Sequence, residues 1–432
     1  KETDEKVNKV MKKLLYILIL MMIVSSCTDY NDIIKNSETS TKEMSVPDGF
    51  DFSLTSAVTL KIHVKNHDFS LSDIPIKVYL NDPGTNEEPS TDALLTQTIV
   101  SDQNGLIDIK LEIPKHISEV YLVTDYIGLP RVTILPIDGQ VLEYTYGEST
   151  GIEPIVKSNN GSNLKSGFNF VPMGTWNSSG VPNYLVSTRD QISQSLLEKI
   201  NASLPERKRL TESHPDYLEA GNQSNVLIKE LADVWVTFVH EGAGYKNTLG
   251  YFLYDLENPP ATKEDIQDIN IIYPNVSFQG GGGGLISGDK VYLGQFEPGK
   301  AIGWVLLANG YNVNGNFNSN FIYFSNRHFN HETTDERKQH MVLLHDSEDD
   351  LLLMGFEDLN RDGWTDDDFN DAIFYVTSNP VTAIELSDVP PIDTPGDKDS
   401  DGVSDTFDDF PEDPDLAYNS HYPAEGQNGT IV

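Results

Sequence analysis

Cysteine is almost absent from this chain of 432 residues: Cys27 is the only one. A lone thiol excludes an intramolecular disulfide and any zinc site built on several cysteines. Basic residues are also scarce, 30 Lys and Arg against 67 Asp and Glu, for a net charge of −37. Such an excess repels phosphate over most of the surface and excludes a general nucleic-acid binder. Aromatic residues make up 9% of the chain, which suits a loop-rich β protein. No complete zinc-protease signature occurs: His240-Glu241 and His331-Glu332 open one, but Gly244 and Asp335 stand where the second histidine belongs. His328 and His331 lie close enough in sequence to share a metal, but 10 histidines make such a pairing expected by chance. The five glycines Gly280–Gly284 lack the Lys-Ser/Thr ending of a phosphate loop. No catalytic residue is assigned, and no enzyme is expected.

What is present begins near the N-terminus. Residues 1–10 read as non-native upstream sequence, and residues 11–26 as a signal peptide: Met11-Lys12-Lys13 is basic and Leu14–Val24 apolar. That run is too short to span a bilayer comfortably. Val24-Ser25-Ser26-Cys27 resembles the bacterial lipobox, which implies cleavage before Cys27 and a diacylglyceryl group on its thiol. Membrane attachment through this lipid follows as an expectation, with residues 27–49 as a polar, flexible tether. The acidic Asp29 and Asp32 behind the cysteine resemble weak surface-export signals, so an outer-membrane, cell-surface location is expected.

The expected fold is mainly β, two β-sandwich domains with a short helical segment between them and an acidic calcium-loop tail. In residues 50–147, Val58, Leu60, Ile62 and Val64 alternate with Thr59, Lys61 and His63, the period of a half-buried strand. Ile74–Leu80 and Leu106–Ile113 repeat the pattern around an Asp102–Gly105 turn. This segment resembles Ig-like and carboxypeptidase-regulatory-like modules. Residues 148–225 read as a linker with a helix near 188–201, capped by Thr188 and apolar at Ile192, Leu196, Leu197 and Ile200. Residues 226–378 predict a second, larger sandwich, with strands around Val234–Phe238, Leu249–Tyr254 and Ala301–Leu307. A linker over 379–396 leads to the acidic run.

Two acidic stretches carry the chemistry. Asp358, Asn360, Asp362 and Gly363 fall at positions 1, 3, 5 and 6 of an EF-hand-like loop, an alternation that turns oxygens to one side. Position 12 is Phe369 rather than a bidentate glutamate, and the flanks read as strands, so the loop is not an EF-hand. Asp366, Asp368, Asn370 and Asp371 are the candidates that would complete it. The second stretch offers Asp397, Asp399, Asp401, Asp405, Asp408, Asp409 and Asp413 within residues 397–423. Such repulsion in a short segment favours a hard cation, and Ca2+ is the expected cofactor. A solvated acidic turn or linker without an ion is the alternative in each case.

The spacing of the second run resembles the thrombospondin type 3 calcium repeat. "GFEDLNRDGWTDDDFNDAIF" and "VWVTFVHEGAGYKNTLGYF" resemble the signature of a domain of unknown function in secreted bacterial proteins. With the lipobox and "DSDGVSDTFDDFPEDPDLAYNSHYP", the chain resembles the LruC-domain lipoproteins of the Bacteroides group and spirochaetes. That resemblance implies β-sandwiches, calcium and a further β domain, of which residues 424–432 would be the start in a truncated chain. The expectation is a surface-exposed, calcium-binding envelope protein with an extracellular protein or glycan ligand. A passive spacer lipoprotein is the alternative, and a polysaccharide- or peptide-acting hydrolase the third reading.

Overall fold

The computed structural model describes residues 53–67, 69–84, 90, 92–147, 167–313, 317–318 and 320–419. Cys27, the signal peptide, the tether and residues 424–432 lie outside these, so the anchor and the truncation remain expectations. No helix among the described residues is long and apolar enough to cross a membrane.

The period-2 segments form strands. In the first sandwich these are β1 (Thr55–His63), β2 (Lys65–Asn66), β3 (Phe69–Ser70), β4 (Pro75–Tyr79), β5 (Leu95–Val100), β6 (Leu106–Pro114), β7 (Glu119–Val123), β8 (Val132–Pro136) and β9 (Val141–Thr145). One sheet runs β6-β1-β9 and the facing sheet β5-β4-β7-β8. Val58, Leu60 and Ile62 of β1 meet Ile76, Val78 and Leu122 in the core, as the alternation requires. The Asp102 carboxylate accepts from Asn104 N–H and Leu106 N–H, both at 2.8 Å, and Gly105 turns the chain at φ 75°. A side chain at Gly105 would press on Val64 O at 2.6 Å.

The second sandwich begins earlier than expected. β10 (Asn169–Pro172), drawn from the supposed linker, pairs in parallel with β14 (Asp268–Val276). Gly, Ser and Asn around it hide this strand, because an edge strand is held by its neighbour's hydrogen bonds and needs little propensity of its own. The six-stranded sheet runs β10-β14-β13-β16-β11, with β11 at Val226–Leu227, β13 at Asn247–Asp255, β16 at Lys300–Leu307, and β17 (Ile322–Phe324) on β16. The five-stranded sheet runs β15-β12-β20-β19-β18: Lys290–Phe296, Ala232–Glu241, Ala372–Asn379, Leu351–Phe356 and Met341–Asp346. Phe238, Tyr273, Trp304, Phe356 and Phe374 fill the space between.

Helix α1 spans Gln194–Ser203 and is capped by Ser193, which accepts from Leu196 N–H at 3.1 Å. The expected start at Thr188 is therefore corrected: a second hydroxyl nearer the apolar stripe satisfies the first turn. Ile192, Leu196, Leu197 and Ile200 are buried as predicted, but in a core shared with both sandwiches. That core runs from β1 and β4 through α1 to Val342, Leu344, Leu353 and Ile373 of the five-stranded sheet. The two sandwiches are therefore fused through α1. A short helix, α2 (Leu210–Ser213), follows.

Residues 379–396 are also packed: His345 N–H donates to Pro390 O at 2.8 Å and Ile392 N–H returns to His345 O at 2.9 Å. The acidic tail then lies on the first sandwich, with Phe407 stacked on Tyr126 at 5.4 Å and Lys77 Nζ 3.4 Å from Asp409.

Candidate metal centre

β19 and β20 stay paired to their ends, Phe356 opposite Ala372, so residues 357–371 form one long hairpin loop. Two buried side chains shape it. Phe369 is fully buried and left-handed at φ 61°, a costly conformation for a bulky residue that only surrounding packing sustains. The Arg361 guanidinium lies 5.0 Å from the Phe369 ring. Arg361 also donates to Asp367 at 2.6 Å and to the carbonyls of Glu336 and Gln339.

Within this frame the carboxylates of Glu357, Asp366 and Asp368 converge, with one oxygen of each lying within 4.8 Å of the others. Glu357 is 0% exposed. Its Oε1 accepts from Thr365 Oγ1 at 2.6 Å, while its buried Oε2 accepts no hydrogen bond. Asp368 Oδ2 accepts from Arg207 N–H at 2.9 Å. Burial, and then the charge of Asp368, pushes the Glu357 carboxyl well above its usual range. Burial and the neighbouring Asp366 raise Asp368 to about 7. Burial and the charge of Asp358 likewise raise Asp371 strongly. The guanidinium groups of Arg209 and Arg361 both bind Asp367, at 2.9 and 2.6 Å, and the charges of Arg207 and Arg209 offset only part of the burial that raises Asp366.

A buried carboxylate oxygen without a donor is expensive unless it is protonated or meets a cation. The donor set contains only hard oxygens. Three carboxylates converging in this way suit a hard, oxygen-ligated cation such as Ca2+. The residues that would hold it are Glu357, Asp366 and Asp368.

The other predicted ligands of this loop are engaged elsewhere. Asp358 Oδ2 accepts from Asn247 Nδ2 at 2.6 Å, and Asp358 N–H donates to Asp371 Oδ2 at 2.7 Å. Asn360 Oδ1 accepts from Asp362 N–H. Asp362 accepts from Thr333 N–H and Oγ1 at 2.9 and 2.8 Å and lies 3.5 Å from Arg337. Asn370 Nδ2 donates to Leu204 O. The side chains of positions 1, 3 and 5 thus hydrogen-bond within and around the turn, and the carboxylates that converge lie towards its two ends. Glu357 escaped the spacing argument because it precedes position 1.

In the tail, oxygens of Asp397, Asp399 and Asp401 again lie within 4.8 Å of one another. Asp408 is 8% exposed, and its Oδ2, like Asp399 Oδ2, has no hydrogen-bond partner. Burial and the charges of Asp401, Asp399 and Asp405 raise the Asp408 carboxyl. Asp405 Oδ1 accepts from Lys398 N–H at 2.9 Å. Asp409 faces Lys77, and exposed Asp413 accepts from Asp415 N–H at 3.2 Å.

The His-Glu motifs have other partners. His240 Nδ1 accepts from Gly128 N–H at 3.1 Å, tying the sandwiches together, and burial lowers the ring to about 3. Glu332 faces His340 at 3.0 Å, and His331 lies 3.5 Å from Asn360.

Comparison with known proteins places two family matches on this architecture. Residues 296–379, from the end of β15 through β20 and including the carboxylate loop, match a domain of unknown function, DUF4114. Residues 56–146, the first sandwich, match another, DUF8469. No curated protein matches the chain. Among solved structures, a DUF3823 family protein from Parabacteroides merdae ATCC 43184 is 11% identical, with a TM-score of 0.15, covering 59% of this chain and 93% of its own. A double mutant of the shaft pilin SpaA from Lactobacillus rhamnosus GG is 9% identical, with a TM-score of 0.16, covering 62% and 92%. Scores of this size carry no argument about the chain.

Proposed function

We propose that this is a calcium-binding β-sandwich protein of the bacterial cell envelope, held to the membrane by a lipid on Cys27. Its role in this reading is adhesion, with a protein or glycan ligand outside the cell. The observation that carries the calcium part is the convergence of the Glu357, Asp366 and Asp368 carboxylates around a fully buried Glu357 whose Oε2 has no donor. The tail group of Asp397, Asp399, Asp401 and Asp408 supports a second ion, and the LruC-type resemblance supports the lipoprotein reading. Calcium at such sites holds loops rather than performing chemistry. Trp364, 55% exposed between Glu357 and Asp366, would be presented on a stiffened loop as a contact residue. Affinities on the order of 10⁻⁴ to 10⁻³ M are expected, as in extracellular modules.

Glu357→Gln and Asp368→Asn test the loop ion. Each should weaken calcium binding measured by calorimetry by about tenfold or more, the scale of loss at altered metal sites. Unchanged affinity in both variants would refute the site. Cys27→Ser tests the anchor: the protein should leave the membrane fraction and lose label from radioactive fatty acid.

A further inference from the structure

Strands β5 and β6 each end a sheet of the first sandwich, and together they line an open groove of about 540 Å³. Edge strands invite pairing by other chains, and proteins blunt them with charge, proline, brevity or a covering segment. Most edges of this molecule follow that rule. Residues 390–392 cover β18, and Leu185 and Val186 cover β15. β8 and β10 end in Pro136 and Pro172, β6 carries Asp108 and Lys110, and β9 carries Glu143. β11 and β17 are two and three residues long. β5 (Leu95–Val100) departs from the rule, with neither a charge nor a proline. Among the described residues its main chain pairs with β4 alone, and the tail reaches it through Thr98 Oγ1, which donates to Asn419 O at 3.1 Å. The groove beside it has Ile99 and Ile107 buried in its wall, with Val100 38% and Leu106 46% exposed. The charged residues in that lining, Asp102 and Asp108, are both acidic.

We propose that β5 is a docking edge for an extended segment of a partner protein, apolar along one face and carrying Lys or Arg, which adds to the sheet as a further strand. In such pairing the main chain supplies affinity and alternate side chains supply specificity. Apolar side chains of the incoming strand would enter the groove against Ile99, Val100 and Leu106, and its basic residues would meet Asp102 and Asp108. Charge selects this occupant over a second copy of the chain, because two copies of net charge −37 would bring like charges to the same edge. The inference rests on the adhesion reading, which it narrows to a protein ligand, and is independent of the calcium sites.

The test titrates the full chain into a labelled synthetic peptide of alternating valine and threonine flanked by lysines, read by fluorescence anisotropy. Saturable binding is expected, with slowed amide hydrogen exchange over residues 95–100. Val100→Lys places a positive charge on the edge and Asp108→Lys reverses one in the groove. Both side chains are exposed, so both variants should melt like the parent while binding the peptide about tenfold more weakly. Should Val100→Lys fail to fold, Asp108→Lys gives the same comparison. No saturable binding, or equal binding by the parent and the folded variants, would overturn the proposal. A parent that binds no peptide but sediments as a dimer, which Val100→Lys disperses, would overturn it too and give the edge to a second copy. Calcium titration of the same samples checks the metal reading separately, so failure of the docking edge leaves that reading standing and the reverse holds as well.

Discussion

At the scale of single residues, buried polar groups divide into those with a partner and those without. His240 belongs to the first kind. Its neutral ring accepts from Gly128 N–H, and burial holds it at about 3 against an ordinary value near 6.5. The unfolded chain takes up the proton first, so stability is complete above about 6.5 and falls as pH drops toward 3, by up to about 1.4 kcal/mol per pH unit. Urea melts in saturating calcium at pH 7.5, 5.5 and 4.5 should show this loss, and His240→Gln should show a shallower slope. Parallel slopes would contradict the role given to the ring. Glu357 is of the second kind: its Oε2 is buried with no hydrogen-bond partner, which is the state a proposed cation would relieve.

At the scale of elements, alternation in the sequence made β1, β4, β6 and β12 legible, because each buries one face. The apolar stripe of α1 was equally readable, although its start was not: Thr188 and Ser193 are both able caps, and only packing selects between them. β10 was illegible since its edge position asks little of its residues. The carboxylate loop shows the deeper limit. Spacing finds acidic residues that follow one another along a turn, such as Asp366 and Asp368, but not Glu357 at the strand end, which the fold brings to them. Gly355 shows how closely these elements meet. A Cβ there would lie 2.5 Å from Phe369 O and 2.6 Å from Leu204 Cδ1. Gly355→Val should therefore destabilise the fold by about 1–3 kcal/mol in urea titration, the usual cost of overpacking. An unchanged midpoint would show that the loop and connector are less tightly joined than described.

At the scale of the whole molecule, a chain of net charge −37 folds into two sandwiches that share a core through α1. Apolar burial supplies the gross stability, and the carboxylates gathered at the connector and in the tail work against it. Lys208 links the two acidic regions, donating to Asp405 O and Thr406 O at 3.4 and 3.3 Å from a connector that also holds the loop. Cations at these sites would offset repulsion where the sandwiches and tail meet, so their effect on stability should be global rather than confined to one loop. A ligand that binds only the folded state stabilises it by about 2.7 kcal/mol at a hundred times its Kd.

The most direct test is calcium titration of the full chain by calorimetry, paired with melting curves in calcium and in chelator. The account predicts saturable heat and a rise in Tm that Asp368→Asn and Asp401→Asn each diminish. No heat and no change in Tm would contradict it, leaving the two acidic clusters as protonated or solvated groups without an ion.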